Sequence, residues 1–266
     1  MIPLPPRFLA GMIALAPLPG SPRYEEDDAA IREMALSDLS HYVSAGVDVV
    51  VLENSHDVPY VRPPFDAGAL SLVKDIAADV RARFEGPVGI QLLEAANLEA
   101  LEVAAACDLD FVRVEGFVFA HVGGAGLIEG CAGELLRLRR RLGAGDILVF
   151  GDIHKKHCSH ALTGDIDIID ELRQAEFFDV DGVIVTGART EVPPDVSELK
   201  TVRAAAGVPV LVGSGMTPEN IAAYMPHADG FIVGSSLRVG GRFMERLAPE
   251  RLERFARAFR EARSAS

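Results

Sequence analysis

The sequence predicts an α/β fold of the (β/α)8 TIM barrel type, built as a single domain over residues 1–266. Short apolar, often β-branched runs recur eight times, and stretches of helical periodicity fall between them. Eight such pairs leave about 33 residues for each, which is the size of one βα unit. An open, doubly wound sheet rarely needs eight parallel strands, whereas a closed barrel does.

The strand runs are almost wholly apolar, which is typical of parallel strands covered on both faces. They are Met12–Ala16, Val47–Glu53, Val88–Leu93, Phe111–Glu115, Ile147–Asp152, Gly182–Thr186, Val208–Val212 and Gly230–Val233.

Helices are expected where capping residues flank a periodic pattern. A helix over Asp27 to Ala45 ends at Gly46, and a helix over Gly133 to Leu142 ends in basic residues. Thr217 is expected to cap a helix that starts at the following proline, and Glu250 to Ala262 forms the last helix.

Four long loops follow strands, which puts them on the face where barrel enzymes hold their chemistry. They are Asn54–Gly68, Gly116–Gly126, Ile153–Gly164 and Gly187–Asp195. The glycine-rich stretch Gly123–Gly126 is expected to act as a mobile lid over the site.

Composition excludes several classes of partner. The formal net charge of −13 disfavours nucleic acid and anionic membranes, which attract clustered Lys and Arg. No apolar run approaches ~18 residues, so we expect no integral membrane segment. The three cysteines are widely spaced and form no disulfide framework, and together with a non-basic N-terminus they predict a cytoplasmic protein. A homo-oligomer is compatible with the sequence, which does not specify one.

Two glycine-rich turns predict a phosphate site. Gly213-Ser214-Gly215 follows the seventh strand run, and Gly234-Ser235-Ser236 follows the eighth. Glycine lets the backbone approach an anion closely, so that N–H groups can point at its oxygens, and serine adds hydroxyl donors. Paired turns at these two strands are the usual phosphate site of a barrel, although tight turns without a ligand are the plain alternative.

Polar residues at the strand ends predict the remainder of the site, since a carboxylate among apolar residues is costly unless it is paired or used. We assign acid/base roles to Glu53, Glu115, Asp152 and His154, and substrate contacts to Asn54, Gln91, Arg113, Lys156 and Thr186. For Gln91 and Arg113, a structural polar layer inside the barrel is an equally good interpretation.

The stretch from His154 to His160 allows a metal hydrolase as a weaker alternative, because its three histidines lie near Asp152. We prefer Asp152 and His154 as an acid/base pair and predict no metal. A lysine that forms a Schiff base is disfavoured, because no Lys lies inside a strand run. No nicotinamide, flavin or ATP motif occurs, so no cofactor is predicted.

Segments along most of the chain match one family pattern. They are Ile13 to Pro22, Gly46-Val47-Asp48, Glu53-Asn54, Asp57-Val58-Pro59, Phe111 to Val114, Gly126 to Gly130, Gly133 to Arg137, Asp152-Ile153-His154, Lys156-His157, Val183 to Gly187, Val210 to Asn220 and Ala228 to Leu237. Together these segments resemble the BtpA/SgcQ family.

The resemblance implies a phosphate-binding barrel whose relatives are described as photosystem I biogenesis proteins or as sugar-related proteins. The chain departs from the family pattern at strand ends. Ala14 stands where the first strand usually has His, Gln91 and Glu94 replace Asn and Arg, and Glu115-Gly116-Phe117 replaces a segment that contains Asn. Val239-Gly240-Gly241 replaces a segment that usually contains Asp. A changed substrate or chemistry is therefore expected.

The leading hypothesis is an enzyme that isomerises or cleaves a small phosphorylated sugar or nucleotide-like substrate by acid/base chemistry, including cleavage of a glycosidic bond. The alternative is a non-catalytic assembly factor for a membrane complex. That role predicts exposed apolar patches and a closed barrel mouth instead of a charged pocket.

Overall fold

A computed structural model describes residues 3–25 and 27–266. Eight parallel strands pair in chain order and close into a barrel, with the last strand beside the first, and helices cover its outside. The predicted single-domain (β/α)8 barrel is confirmed. A two-stranded antiparallel hairpin, between residues 121 and 128, is added after the fourth barrel strand and does not join the barrel.

The barrel strands are β1 (Phe8–Ala14), β2 (Val49–Glu53), β3 (Val88–Gln91), β4 (Phe111–Val114), β7 (Leu148–Ile153), β8 (Gly182–Val185), β9 (Val210–Val212) and β10 (Gly230–Val233). The hairpin strands are β5 (His121–Gly123) and β6 (Gly126–Ile128). The helices are α1 (Asp28–Ala45), α2 (Ala67–Arg83), α3 (Asn97–Ala106), α4 (Ala132–Arg141), α5 (Ile168–Phe177), α6 (Val196–Ala205), α7 (Ile221–Tyr224) and α8 (Pro249–Ser264).

The core forms two layers, one between strands and helices and one inside the barrel. Aromatic rings fill the inside because neighbouring strands offer glycines opposite them. A Cβ on Gly89 would lie 2.2 Å from the ring of Phe111, and a Cβ on Gly182 would lie 2.4 Å from that of Phe150. These two rings meet edge to face, with centroids 5.5 Å apart. Side chains therefore fill the barrel toward the amino ends of the strands, and the carboxyl ends are left for the site.

The structure corrects some boundaries. Strand β1 begins at Phe8 rather than Met12, since Phe8 to Gly11 pair with β10. Thr217 does not cap a helix. Its N–H donates to Asn220 Oδ1 in a turn, and α7 begins only at Ile221. Asp27 does cap α1, accepting from the N–H of Ala30.

Within the described residues, no helix is both long and apolar enough to cross a membrane.

Candidate active site

A cavity opens at the carboxyl ends of the strands and has two connected parts. The first part, the cradle, is bounded by the two glycine-rich turns and by the segment that follows β10. The second part, the acid pocket, is bounded by the ends of β2, β3, β4 and β7 and by the loop after β7. Side chains that line both parts are Glu53, Arg113, Lys156, Thr190 and Phe243.

All six residues of the predicted phosphate turns line the cradle. The backbone N–H groups of Gly215, Met216, Ser235 and Ser236 donate to no acceptor within the part of the chain that the structure describes. Gly215 has φ of +70°, and a Cβ there would lie 2.0 Å from the nitrogen of Pro193. The turns therefore present unsatisfied donors on a tight backbone, which is the arrangement that binds phosphate.

Two arginines that the sequence analysis did not select also line the cradle. Arg251 comes from α8, and its Nε donates to the carbonyl of Ser236 at 2.8 Å. Arg238 is buried, and its Nη1 donates to the carbonyl of Glu245 at 2.8 Å. Both arginines follow β10 in the sequence and belong to no recognisable motif. The folded chain places them beside the two glycine-rich turns.

The three serines of the turns differ in what their hydroxyls already bind. Ser214 Oγ accepts from the N–H of Gly187 at 2.8 Å and donates to the carbonyl of Val192 at 3.0 Å, which fixes the loop after β8. Ser236 Oγ is buried without a partner in the described chain. Ser235 Oγ forms no hydrogen bond within the described chain either. Ser235 and Ser236 therefore have open hydroxyl groups, whereas Ser214 holds the loop after β8.

In the acid pocket, Asp152 on β7 is fully engaged by Arg113 on β4. Arg113 Nε and Nη2 each donate to one Asp152 oxygen at 3.0 Å, and both side chains are buried. Burial opposes the charge on Arg113, but Asp152 and other carboxylates outweigh it and raise the pKa of the guanidinium. The predicted base Asp152 is thus half of a buried bidentate ion pair.

A second buried group joins Glu115 at the end of β4, Glu94 after β3 and Lys155 after β7. Lys155 Nζ lies 3.0 Å from Glu115 Oε1 and 3.6 Å from Glu94 Oε1. Glu115 Oε2 also accepts from the N–H of Ala95 at 2.8 Å. Burial raises the pKa of Glu115 although Lys155 opposes this, and the pKa of Lys155 is raised because Glu115 outweighs its burial.

The glycine-rich hairpin is tied down at its tip. Glu94 accepts from the N–H groups of Gly124 at 3.2 Å and Ala125 at 2.7 Å. A Cβ on Gly123 would lie 2.3 Å from Glu94 Oε1, so glycine permits this close approach. The expected mobile lid is therefore a hairpin bound to the pocket wall.

Lys156 differs from every other cation in the acid pocket because it has no paired carboxylate. Its Nζ makes no ion pair or hydrogen bond within the described chain, whereas its N–H donates to Thr186 Oγ1 at 3.2 Å. Burial lowers the pKa of Lys156 to about 8, and the nearby charge of Arg113 adds to this. At pH 8 about half of this lysine is therefore an uncharged amine, and a smaller fraction is uncharged at neutral pH.

Two further polar groups in the cavity have open hydrogen-bonding positions. Glu53 at the end of β2 accepts from Ser55 Oγ at 2.6 Å through Oε1, and Oε2 has no partner in the described chain. Gln91 is buried, and its Oε1 has no hydrogen-bond partner there. A buried acceptor without a donor is costly, so Gln91 is suited to accept from a ligand hydroxyl or N–H.

Three predicted site residues do not line the cavity. The N–H of His154 donates to Glu171 Oε2 at 3.0 Å, and its half-exposed ring lies beside that carboxylate. Asn54 forms two hydrogen bonds with the backbone of Leu93, and Thr186 holds the backbone of Lys156. His154 has a left-handed backbone, with φ of 45°, and its ring centroid lies 5.4 Å from that of His160.

In the histidine loop, the rings of His154 and His160 lie near each other, with centroids 5.4 Å apart, whereas His157 is bound elsewhere. His157 Nε2 accepts from the N–H of Thr190 at 2.9 Å, and His160 Nε2 lies 2.9 Å from the carbonyl oxygen of Lys155. Over residues 3–25 and 27–266, no three His, Cys, Asp or Glu side chains are grouped so that they could hold a metal ion.

Comparison with known proteins identifies the family. The family model described as "BtpA family" matches residues 6–261. The chain belongs to the BtpA family.

Two relatives show how widely the family is distributed. An uncharacterized mitochondrial protein of Caenorhabditis elegans is 41% identical over 250 residues, which cover 92% of this chain and 90% of that protein. The Photosystem I biogenesis protein BtpA of Synechocystis is 32% identical over 254 residues, covering 94% and 87%.

Solved structures share the fold at low sequence identity. The phosphoribosylanthranilate isomerase of Thermus thermophilus aligns with a TM-score of 0.60 and 10% identity, covering 96% of this chain and 98% of that one. KGPDC of Streptococcus mutans aligns with 0.59 and 13%, covering 98% and 99%. The thiamine phosphate pyrophosphorylase of Pyrococcus furiosus aligns with 0.57 and 11%, covering 96% of each chain.

Proposed function

We propose that this BtpA family protein is an enzyme that acts on a small phosphorylated sugar. One observation carries the proposal: two turns with unsatisfied N–H donors and two arginines lie in the same cavity as Glu53 and Lys156. The phosphate would occupy the cradle, and the carbon skeleton would extend into the acid pocket. Two structural neighbours, a thiamine phosphate pyrophosphorylase and a phosphoribosylanthranilate isomerase, are named for phosphorylated compounds, which agrees with this arrangement.

The open groups favour proton transfer as the chemistry. Glu53 has a free oxygen, and Lys156 has a pKa near neutrality, so each can exchange a proton with a bound substrate. Asp152 and Glu115 contribute the surrounding charge, because their oxygens already accept from Arg113, Lys155 and a backbone N–H. The acid/base pair is therefore Glu53 and Lys156, in place of Asp152 and His154.

Phosphate binding is tested by differential scanning fluorimetry with inorganic phosphate, ribose 5-phosphate and ribose. The decisive variant is Gly234→Asp, since Gly234 lines the cradle and a Cβ there meets its nearest atom, Met12 Cβ, at an ordinary 3.5 Å. The matched control is Gly234→Ala. We expect both phosphate compounds to raise the Tm of the wild type and of Gly234→Ala, but not that of Gly234→Asp. Equal shifts in all three proteins would contradict the proposal.

Catalysis is tested by incubating the protein with phosphorylated aldoses and ketoses in D2O. Deuterium incorporation or bond cleavage, followed by NMR, should depend on both Glu53 and Lys156. We expect Glu53→Gln and Lys156→Met to lower the rate by at least about 100-fold, the usual contribution of a general acid or base.

The assembly-factor alternative rests on the name of the Synechocystis relative. An open, charged cavity is not what a docking surface requires. A protein that binds phosphate with unchanged affinity after Glu53→Gln and turns over no phosphorylated sugar would favour that alternative.

A further inference from the structure

Two lysines adjacent in sequence have opposite surroundings. Lys155 is buried between Glu115 and Glu94, at 3.0 and 3.6 Å, and its side chain is only 8% exposed. Both lysines line the acid pocket, but only Lys156 also lines the cradle. Lys155 is neutralised by carboxylates, whereas Lys156 Nζ forms no ion pair within the described chain.

The charged neighbours of Lys156 come from three strands and its own loop. Arg113 and Lys155 disfavour its protonated form, whereas Glu53 and Asp152 favour it. Asp152 is held by both donors of Arg113, so its charge is largely balanced. Burial, together with the charge of Arg113, lowers the pKa of this primary amine to about 8, so its uncharged form is far more accessible than that of an exposed lysine.

We propose that Lys156 is a nucleophile that forms an imine with the carbonyl carbon of a phosphorylated aldose or ketose. The inference rests on the proposed function, since the phosphate seated in the cradle positions the carbonyl. It names the substrate class as the open-chain carbonyl form of a phosphorylated sugar. It also assigns Lys156 a covalent role in place of proton exchange and leaves Glu53 as the acid/base group. The position of the lysine in a loop, outside the strands, had disfavoured a covalent role at the level of sequence.

The step balances without an oxidant, a reductant or a cofactor. The uncharged Nζ attacks the carbonyl carbon and a C–N bond forms. A proton moves from nitrogen to the former carbonyl oxygen, which gives a carbinolamine. The C–O bond then breaks, and the oxygen leaves as water with the second hydrogen of the amine. Glu53 lines the same space and can carry the proton between nitrogen and oxygen.

Reductive trapping tests this directly, and the chain provides its own controls. The full chain is incubated with D-glyceraldehyde 3-phosphate and sodium cyanoborohydride, digested, and analysed by peptide mass spectrometry. The sequence contains only four lysines, Lys74, Lys155, Lys156 and Lys200. Lys74 on α2 and Lys200 on α6 lie on outer helices and report non-specific labelling.

We expect the adduct at Lys156 to exceed that at Lys74 or Lys200 by at least about tenfold, because the bound phosphate holds the aldehyde near the amine. Unphosphorylated D-glyceraldehyde should show no such preference, and excess inorganic phosphate should remove it. Lys156→Arg should remove the adduct and retain the Tm shift with inorganic phosphate, which shows that the variant is folded.

Equal labelling of the lysines, with a normal phosphate-induced Tm shift, would overturn the imine and leave the proposed function standing. Preferential labelling of Lys156 by both aldehydes would also overturn it, since the phosphate would then play no part in positioning the carbonyl. Loss of both the Tm shift and the selective adduct would overturn the proposed function as well.

Discussion

The two parts of the cavity are built on different principles. The cradle is made of backbone N–H groups in two turns, and these donors find no acceptor within the described chain. The acid pocket is made of charged side chains, most of which satisfy each other. The cradle is therefore completed from outside by an anion, whereas the acid pocket is largely complete in itself. A charged residue at a strand end is therefore evidence of a catalytic role only when no partner within the protein already neutralises its charge.

The largest expected effect comes from breaking the best-satisfied pair in the acid pocket. Arg113→Met leaves Asp152 buried and unpaired, so we expect the free energy of unfolding to fall by about 3–5 kcal/mol. The double variant with Asp152→Leu should recover most of that loss, because no buried charge remains. Urea unfolding of the single and double variants measures both values. A double variant as unstable as the single one would show that packing, not charge, dominates here.

The two adjacent lysines should differ in their contribution to stability, because Lys155 is ion-paired and Lys156 is not. Lys155→Met leaves Glu115 and Glu94 buried without their cation and should destabilise the fold by about 3 kcal/mol. Lys156→Met removes an unpaired cation and should leave stability unchanged or raise it by up to about 1 kcal/mol. Urea denaturation compares the two variants. Equal losses would mean that Lys156 also carries a structural ion pair.

The acid side of the barrel should also respond to pH. His121 in the hairpin is buried and its Nε2 has no partner in the described chain, and burial lowers its pKa to about 4. In the unfolded chain its pKa is near 6.5, so between pH 6.5 and 4 the unfolded state binds the proton first. Stability should therefore fall across this window by about 3 kcal/mol. His121→Phe should flatten that part of the stability–pH curve, and an unchanged curve would assign the loss to other groups.

The smallest effect is expected at Gln91, whose Oε1 is the open acceptor of the acid pocket. Gln91→Leu should weaken the binding of ribose 5-phosphate by about 1 kcal/mol, the net value of one hydrogen bond. The affinity for inorganic phosphate, which would occupy only the cradle, should stay the same. Isothermal titration calorimetry of both ligands measures the difference. Loss of phosphate affinity in this variant would mean that the two parts are not separable.

The sequence was sufficient to predict the fold, because strand runs and helical stretches alternate from one end of the chain to the other. It did not reveal the hairpin, whose strands have only three residues each and lie within a glycine-rich stretch. The early start of β1 was also missed, since Phe8 follows a proline-rich segment typical of a loop.

For the site, the glycine turns could be located from sequence because their backbone role depends on residues adjacent in the chain. The arginines of the cradle could not, since Arg251 approaches Ser236 from a helix 15 residues further on. Nor could the sequence separate Lys155 from Lys156 or show that His154 does not line the cavity. Those distinctions depend on φ angles and on partners from other strands.

The β5–β6 hairpin and the loop after β7, which carries Lys155 and Lys156, are hydrogen-bonded to each other. The N–H of Val122 donates to the carbonyl of Ser159 at 3.0 Å, and the N–H of Ser159 donates back at 2.8 Å. Glu94 also accepts two hydrogen bonds from the tip of the same hairpin. For protein engineering, the two loops therefore behave as one unit. A chimera with another family member should exchange residues 116–131 and 153–164 together, because either segment alone would lose the hydrogen bonds that join it to the other.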